Sequence, residues 1–214
     1  MFRGLIQLVA VIANIAWGEP GAYSENVARK RESQPPVVLT TGHSNRSIED
    51  FIALLKGHRV ERLVDVRTIP KSAHNPQFAR EALSPSLHSA RIHYRHMPGL
   101  GGFRHPKRDS VNAGWRNSSF RGYADYMQTP EFEKNLETLI SLAREERTVI
   151  MCAEAVPWRC HRSLIADALT VRGIEARELA SREKTKLHEL TPFARVEGTE
   201  ITYPSESKQM SLLS

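Results

Sequence analysis

The chain is nearly without cysteine, with two in 214 residues. Two are too few for a disulfide framework, and a chain of this length buries enough apolar surface to do without one. A reducing compartment is therefore the expectation. Long apolar runs are missing as well. Residues 4–17 come nearest, but Gln7 and Asn14 interrupt them, and they fall short of the ~20 residues a helix needs to cross a bilayer. No internal repeat or low-complexity tract is present, which excludes repeat architectures. Net negative charge is absent too: 30 Lys and Arg face 24 Asp and Glu, a formal +6.

That positive excess is local. Between positions 91 and 121 stand Arg91, Arg95, Arg104, Lys107, Arg108, Arg116 and Arg121, against the single acid Asp109. A concentrated positive surface attracts polyanions or phosphorylated ligands, so an anionic small molecule or a nucleic acid is the expected partner, and a membrane is not. The plainer alternative is a solvated basic loop.

Residues 1–36 read as a leader or linker ahead of one α/β domain spanning 37–203, with a mobile tail at 204–214. Taken as a signal peptide, residues 1–17 would export the chain. They lack a clean small-x-small cleavage site, and a cytoplasmic protein with an appended leader is the expectation. Within the domain, Val37-Val38-Leu39-Thr40-Thr41 reads as a strand, and Ser47 with Asp50 as the cap of a helix whose buried face carries Ile48, Phe51, Ile52, Leu54 and Leu55. Strands follow at 62–67, 91–96, 147–151 and 174–179, the last taken as the final strand of the sheet. Helices are expected at 76–90 with a break at Pro85, at 120–128, at 130–144 and after Ser163. Such alternation implies a three-layer α/β fold, a mostly parallel sheet with helices on both faces. The Gly- and Arg-rich connection 98–117 is too long for an ordinary loop and reads as a functional cover. A short strand-like element, Ile201-Thr202-Tyr203, comes near the end.

Three strand ends place polar residues on one edge of the sheet: Gly42-His43-Ser44, Asp65-Val66-Arg67 and Cys152-Ala153-Glu154. In open α/β sheets the crevice beyond the carboxyl ends of the strands is the usual ligand site. Asp65 can hold Arg67 as a clamp for phosphate or carboxylate, or form a structural ion pair. Cys152, near a helix N-terminus with Arg159 and Arg162, is the candidate nucleophile, with burial as a small apolar residue as the alternative. Glu154 and His161 are the candidate proton-transfer groups. Cys152, Cys160 and His161 also offer three ligands for zinc or iron, although their spacing matches no Cys-x-x-Cys pattern. His43, Ser44, Ser72, Asn75, Arg116, Arg121 and Tyr123 complete the candidate substrate-binding set. The tract 115–126 interleaves aromatics and arginines, as nucleobase recognition requires, yet Phe120, Tyr123 and Tyr126 also have the spacing of a core-facing helical stripe.

Thr41-Gly42-His43-Ser44-Asn45-Arg46-Ser47, Asp65-Val66-Arg67-Thr68-Ile69-Pro70-Lys71-Ser72, Asn75-Pro76-Gln77-Phe78, Leu100-Gly101-Gly102, Phe120-Arg121-Gly122-Tyr123-Ala124-Asp125-Tyr126-Met127 and Cys152-Ala153-Glu154 with Cys160-His161-Arg162 together resemble the domain of unknown function 488 family. The likeness covers about 37–203 and implies an intracellular α/β domain without naming a reaction. A fainter likeness is to rhodanese-type domains, in the order of Asp65-Val66-Arg67, Cys152 and Arg162-Ser163. The loop from Cys152 to Arg162 is longer than the tight cradle of that family and carries Pro157 and Trp158. Cys152 to Arg159 also misses the Cys-x5-Arg spacing of cysteine phosphatases by one residue.

The reading is a pocket that binds a phosphorylated small molecule, nucleotide or nucleic acid segment, in a cysteine-dependent hydrolase or transferase. Sulfur transfer or thiol redox chemistry is the second reading, and a non-catalytic nucleic-acid-binding module the third. Cofactor and oligomeric state stay open at this level.

Overall fold

A computed structural model of the chain describes residues 35–205. The expected leader lies almost wholly outside these residues, and the expected tail mostly so. The main sheet contains β1 (Val37–Gly42), β2 (Arg62–Asp65), β3 (His93–His96), β4 (Thr148–Cys152), β5 (Glu175–Leu179) and β6 (Thr185–Leu187). Their order is β3-β2-β4-β1-β5-β6, and every pairing is parallel except that of β5 with β6. The fold is thus the expected three-layer α/β arrangement. One correction concerns the sheet's end: β5 is followed by the antiparallel edge strand β6. A separate hairpin of β7 (Arg195–Glu197) and β8 (Glu200–Thr202) contains the strand-like element seen near the end of the sequence.

Side-chain alternation along the strands divides the interior in two. Val38, Val64, Ile150 and Ala176 face one core, with Tyr123, Leu136, Leu139 and Leu164. Leu39, Leu63, Val149 and Met151 face the other, with Phe51, Leu55, Leu83 and Leu87. A strand apolar at successive positions has to be covered on both sides. Helices α1 (Ile48–Gly57) and α2 (Arg80–Ser89) cover one face, and α3 (Ser118–Tyr126), α4 (Pro130–Glu145) and α5 (Arg162–Thr170) the other. Helix α1 begins with the expected cap, the Asp50 N–H donating to Ser47 Oγ at 3.0 Å.

The expected break at Pro85 does not occur. Helix α2 runs through that residue, and the interruption falls at Ala79, between a 3-10 turn (Pro76–Phe78) and the helix. Pro85 lies on the exposed face, where water can replace the one hydrogen bond it removes. Among the described residues, no helix is long and apolar enough to cross a membrane.

The chain leaves β1 toward β2 and β3, returns to place β4 between β2 and β1, and then crosses to β5 on the far side of β1. Consecutive strands therefore depart in opposite directions around the β1–β4 pair. A crevice opens at the carboxyl ends of such strands.

Candidate functional site

The strands that meet at this switch end level with one another: Gly42 pairs with Cys152, and Asp65 with Met151. Backbone pairing continues past the strands, His43 N–H donating to the Cys152 carbonyl and Ser44 N–H to the Ala153 carbonyl, both at 3.0 Å. The segment after Cys152 is thereby laid across the end of β1. A Cβ on Gly42 would sit 1.7 Å from the Glu154 carbonyl oxygen, so this approach requires a residue without a side chain.

Above these strand ends lies a pocket of about 750 Å³. Its lining includes Arg67, Thr68, Ile69 and Lys71 after β2, Gly102 to Pro106 after β3, and Cys152 to Glu154 after β4. Arg159, Cys160 and His161, at the entrance to α5, complete the floor and one wall. Lys71 and Arg159 are exposed, and neither side chain has a partner among the described residues. Among the described residues, Glu154 is the single acid of the lining. Phe103, 75% exposed, and Ile69, 55% exposed, stand in the same lining.

Beneath the pocket the polar groups are buried and paired. Asp65, fully buried, accepts from the Arg67 backbone N–H (3.1 Å), from Arg67 Nε (2.8 Å) and Nη2 (2.5 Å), and from the Tyr94 hydroxyl (2.9 Å). Arg67 is thus held at two points of its guanidinium, and its Nη1 reaches His43 Nε2 at 3.4 Å. Burial lowers the His43 pKa to about 4, so the ring is neutral. With Nδ1 donating to the Ser44 carbonyl at 2.8 Å, Nε2 is left as the acceptor for Arg67. His43 also stacks on Phe78 with centroids 4.2 Å apart.

Arg162 is the second buried cation, with 0% of its surface exposed. It donates to the Glu154 carbonyl (2.7 Å), to Cys160 Sγ (3.4 Å) and to Glu178 Oε2 (3.4 Å). Burial pushes the Glu178 carboxyl up, opposed by Arg162 and by the hydroxyl of Thr40, which donates to it. Arg162 therefore braces the loop and the sulfur from inside, and it cannot meet a ligand in the pocket directly.

The two sulfurs differ. Cys152 is 8% and Cys160 3% exposed. Hydrogen bonding to Cys160 and burial push the Cys152 thiol well up. Donation from Cys152, followed by His161 and Arg162, holds the Cys160 thiol well below its usual range. Cys152, the candidate nucleophile, thus stands beside a second sulfur, and the thiol held low is that of Cys160. His161 lies with Nδ1 3.7 Å from Cys160 Sγ and Nε2 3.2 Å from the Val66 carbonyl.

Cys152, Glu154, Arg159, His161 and Arg67 thus meet at the pocket, with His43, Asp65 and Arg162 as buried supports under it. Six other residues do not line it. Tyr123 is buried, donates to the Leu100 carbonyl at 2.9 Å and packs against the His161 ring at 5.1 Å. Ser44 lies at the crossing of β1, and Ser72 caps a turn by accepting from Asn75 N–H at 3.1 Å. Arg116 is exposed elsewhere, and Arg121 has a buried Nε without a partner among the described residues. The aromatics of 115–126 are part of the packing: Trp115 lies 4.8 Å from Phe120 and 4.9 Å from Phe193, and Tyr123 and Tyr126 belong to the core.

Sequence reasoning missed three contributors. Glu178 carries no motif and is found only through Arg162. Asp125, in mid-helix, accepts from Lys107 N–H (2.8 Å), Ser110 Oγ (2.6 Å) and Asn112 Nδ2 (2.7 Å), and so pins the connection 98–117. An acid flanked by buried aromatics was its sequence signal. Gly102 is the third: a Cβ there would fall 2.5 Å from His161 Nδ1. Arg104, taken as part of the basic surface, instead lies 3.5 Å over the Tyr126 ring and donates to the Gly99 and Gly101 carbonyls.

A family model described as domain of unknown function DUF488 matches residues 47–169. No curated protein and no solved structure matches the chain, so the rhodanese likeness gains no support.

Proposed function

The chain belongs to the DUF488 family, and from that premise we propose that its pocket binds a phosphorylated small molecule bearing a planar ring, a nucleotide by chemical class, and acts on it at the sulfurs of the floor. One observation carries the reading. The lining sets Arg67, Lys71, Arg104 and Arg159 against Glu154 alone, and Lys71 and Arg159 have no partner among the described residues. Cations left unpaired at a concave wall concentrate anions, and an arginine suits a phosphate in particular. Phe103 supplies an exposed aromatic face at the same wall, and base–aromatic stacking is worth about 1–3 kcal/mol. A volume of about 750 Å³ suits a ligand of that size.

Calorimetric titration with a nucleoside monophosphate, its nucleoside and inorganic phosphate tests the reading. Charged hydrogen bonds are worth about 1.5–3 kcal/mol each. The double variant K71A/R159A is therefore expected to weaken the monophosphate by roughly 100-fold or more and to leave the nucleoside unchanged. F103A should weaken both nucleoside ligands and spare phosphate. Failure of every phosphate-bearing ligand to bind, or binding indifferent to K71A/R159A, would refute it.

A thiol-redox reading has its own observation, the two sulfurs within 4.8 Å of each other. It predicts loss of both free thiols under mild oxidant without aggregation. The nucleic-acid module is less favoured, because Arg104 is already engaged and Lys107 and Arg108 are left as its exposed cations.

A further inference from the structure

The floor of the pocket gathers donor atoms that suit a cation better than they suit one another. Sγ of Cys152, Sγ of Cys160 and a ring nitrogen of His161 lie within 4.8 Å of one another, with Nδ1 3.7 Å from Cys160 Sγ. Zinc bonds of about 2.3 Å to sulfur and 2.0–2.1 Å to nitrogen give a tetrahedron with edges of roughly 3.5–3.8 Å. The three atoms are already close to one face of that tetrahedron.

Two further features point to an ion. The Val66 carbonyl can only accept, so His161 Nε2, 3.2 Å away, carries the proton and donates it. A metal-bound imidazole typically gives its second N–H to such an acceptor, which turns the other nitrogen's lone pair toward the ion. Arg162, donating to Cys160 Sγ at 3.4 Å, matches the outer-shell hydrogen bonds that orient metal ligands.

We infer that Cys152, Cys160 and His161 bind one zinc ion, with its fourth position open to the pocket. The inference rests on the reading of this pocket as the working site, and not on its ligand being anionic. On binding, each thiol that coordinates releases its proton to solvent, two Zn–S bonds and one Zn–N bond replace three bonds to water, and no electron is transferred. A water kept in the fourth position faces the lining, where Glu154 is the one carboxylate. A zinc held there would supply a Lewis acid for such a water.

The full chain, purified without a metal-binding tag, is loaded with zinc, dialysed and analysed for metal, and in parallel loaded with cobalt(II). One zinc per chain is expected, along with the visible ligand-field bands of tetrahedral cobalt and sulfur-to-cobalt charge transfer. C160S should reduce zinc to background, and so should H161A. Absence of sulfur-to-cobalt charge transfer in the unsubstituted chain overturns the inference, whatever the variants do, as does zinc retained in a folded C160S. Phosphate-ligand binding without zinc would overturn this inference alone, whereas zinc uptake without phosphate-ligand binding would overturn the anion reading alone.

Discussion

Replacing Arg162 by methionine removes the buried cation under the pocket while nearly filling its volume, which limits the cavity contribution to the loss. The substitution leaves Glu178, whose side chain is 18% exposed, without its cation. It also takes a charged donor from the Glu154 carbonyl at 2.7 Å. Removing one member of a buried pair costs about 3–5 kcal/mol. The 3.4 Å separation from Glu178 and the hydroxyl of Thr40, which remains on that carboxylate, place the loss near the lower end, at about 3 kcal/mol. For a domain of this size the melting temperature should fall by roughly 6–12 °C. Thermal denaturation followed by circular dichroism reads this directly. If the charge left on Glu178 is a main cause, E178Q in the same chain should restore about 1–2 kcal/mol, a coupling expected of residues in contact. A variant melting within about 2 °C of the parent, or single losses that simply add in the double variant, would refute the supporting role of Arg162.

Gly42→Ala drives a methyl group into the Glu154 carbonyl, 1.7 Å from the ideal Cβ. Because both partners are backbone, the loop after β4 has to move. A loss of about 1–3 kcal/mol is expected, with faster alkylation of Cys152 and Cys160 as the loop lifts; an unchanged alkylation rate would count against the close packing. Glu146 offers a pH test remote from the pocket. Burial pushes its carboxyl up, but Arg62 Nε at 2.8 Å and His93 more than offset that, holding it below the usual range. A pKa lowered by folding stabilises the native state fully above the unfolded value of about 4.3, and the contribution fades as pH falls through the lower native value. E146Q should therefore lower stability by about 0.5–1 kcal/mol at pH 7, with the gap from the parent closing below about pH 4. A gap constant with pH would refute the assignment.

The fold was legible because its signals are local. Apolar runs bounded by turn residues marked β1, β2 and β4, and Ser47 marked the start of α1. Pro85 misled because its effect depends on which face of the helix it occupies, and only packing sets that. Strand β6 has no apolar run to reveal it; two of its three residues, Lys186 and Leu187, are exposed. At the pocket, the sequence named residues that adjoin strand ends, and those converged. It could not separate contact from support. Arg159 and Arg162 look alike in sequence, yet one is exposed at the wall and the other wholly enclosed. Helix phase decides this: Arg162 opens α5 on the side facing β5 and Glu178, whereas Arg159 ends the 3-10 turn before it. The two sulfurs could not be distinguished either, because their difference lies in which neighbours donate to which.

The buried polar groups under the pocket explain why this end of the sheet differs from a plain core. His43, Asp65, Arg67 and Arg162 are all buried, and apolar residues of similar volume in such places often leave a protein equally or more stable. Stability alone therefore gives no reason for them. What they do is fix positions: Asp65 orients Arg67, His43 receives the free edge of that guanidinium, and Arg162 ties the Glu154 carbonyl and Cys160 to β5. Each tie ends on a residue of the pocket lining or on the backbone that carries one. A rigid polar foundation is what a reacting centre needs when its groups must be held to within about 0.5 Å. Its concentration at the β1–β4 switch, beneath the sulfurs, is the strongest physical support for the site proposed there.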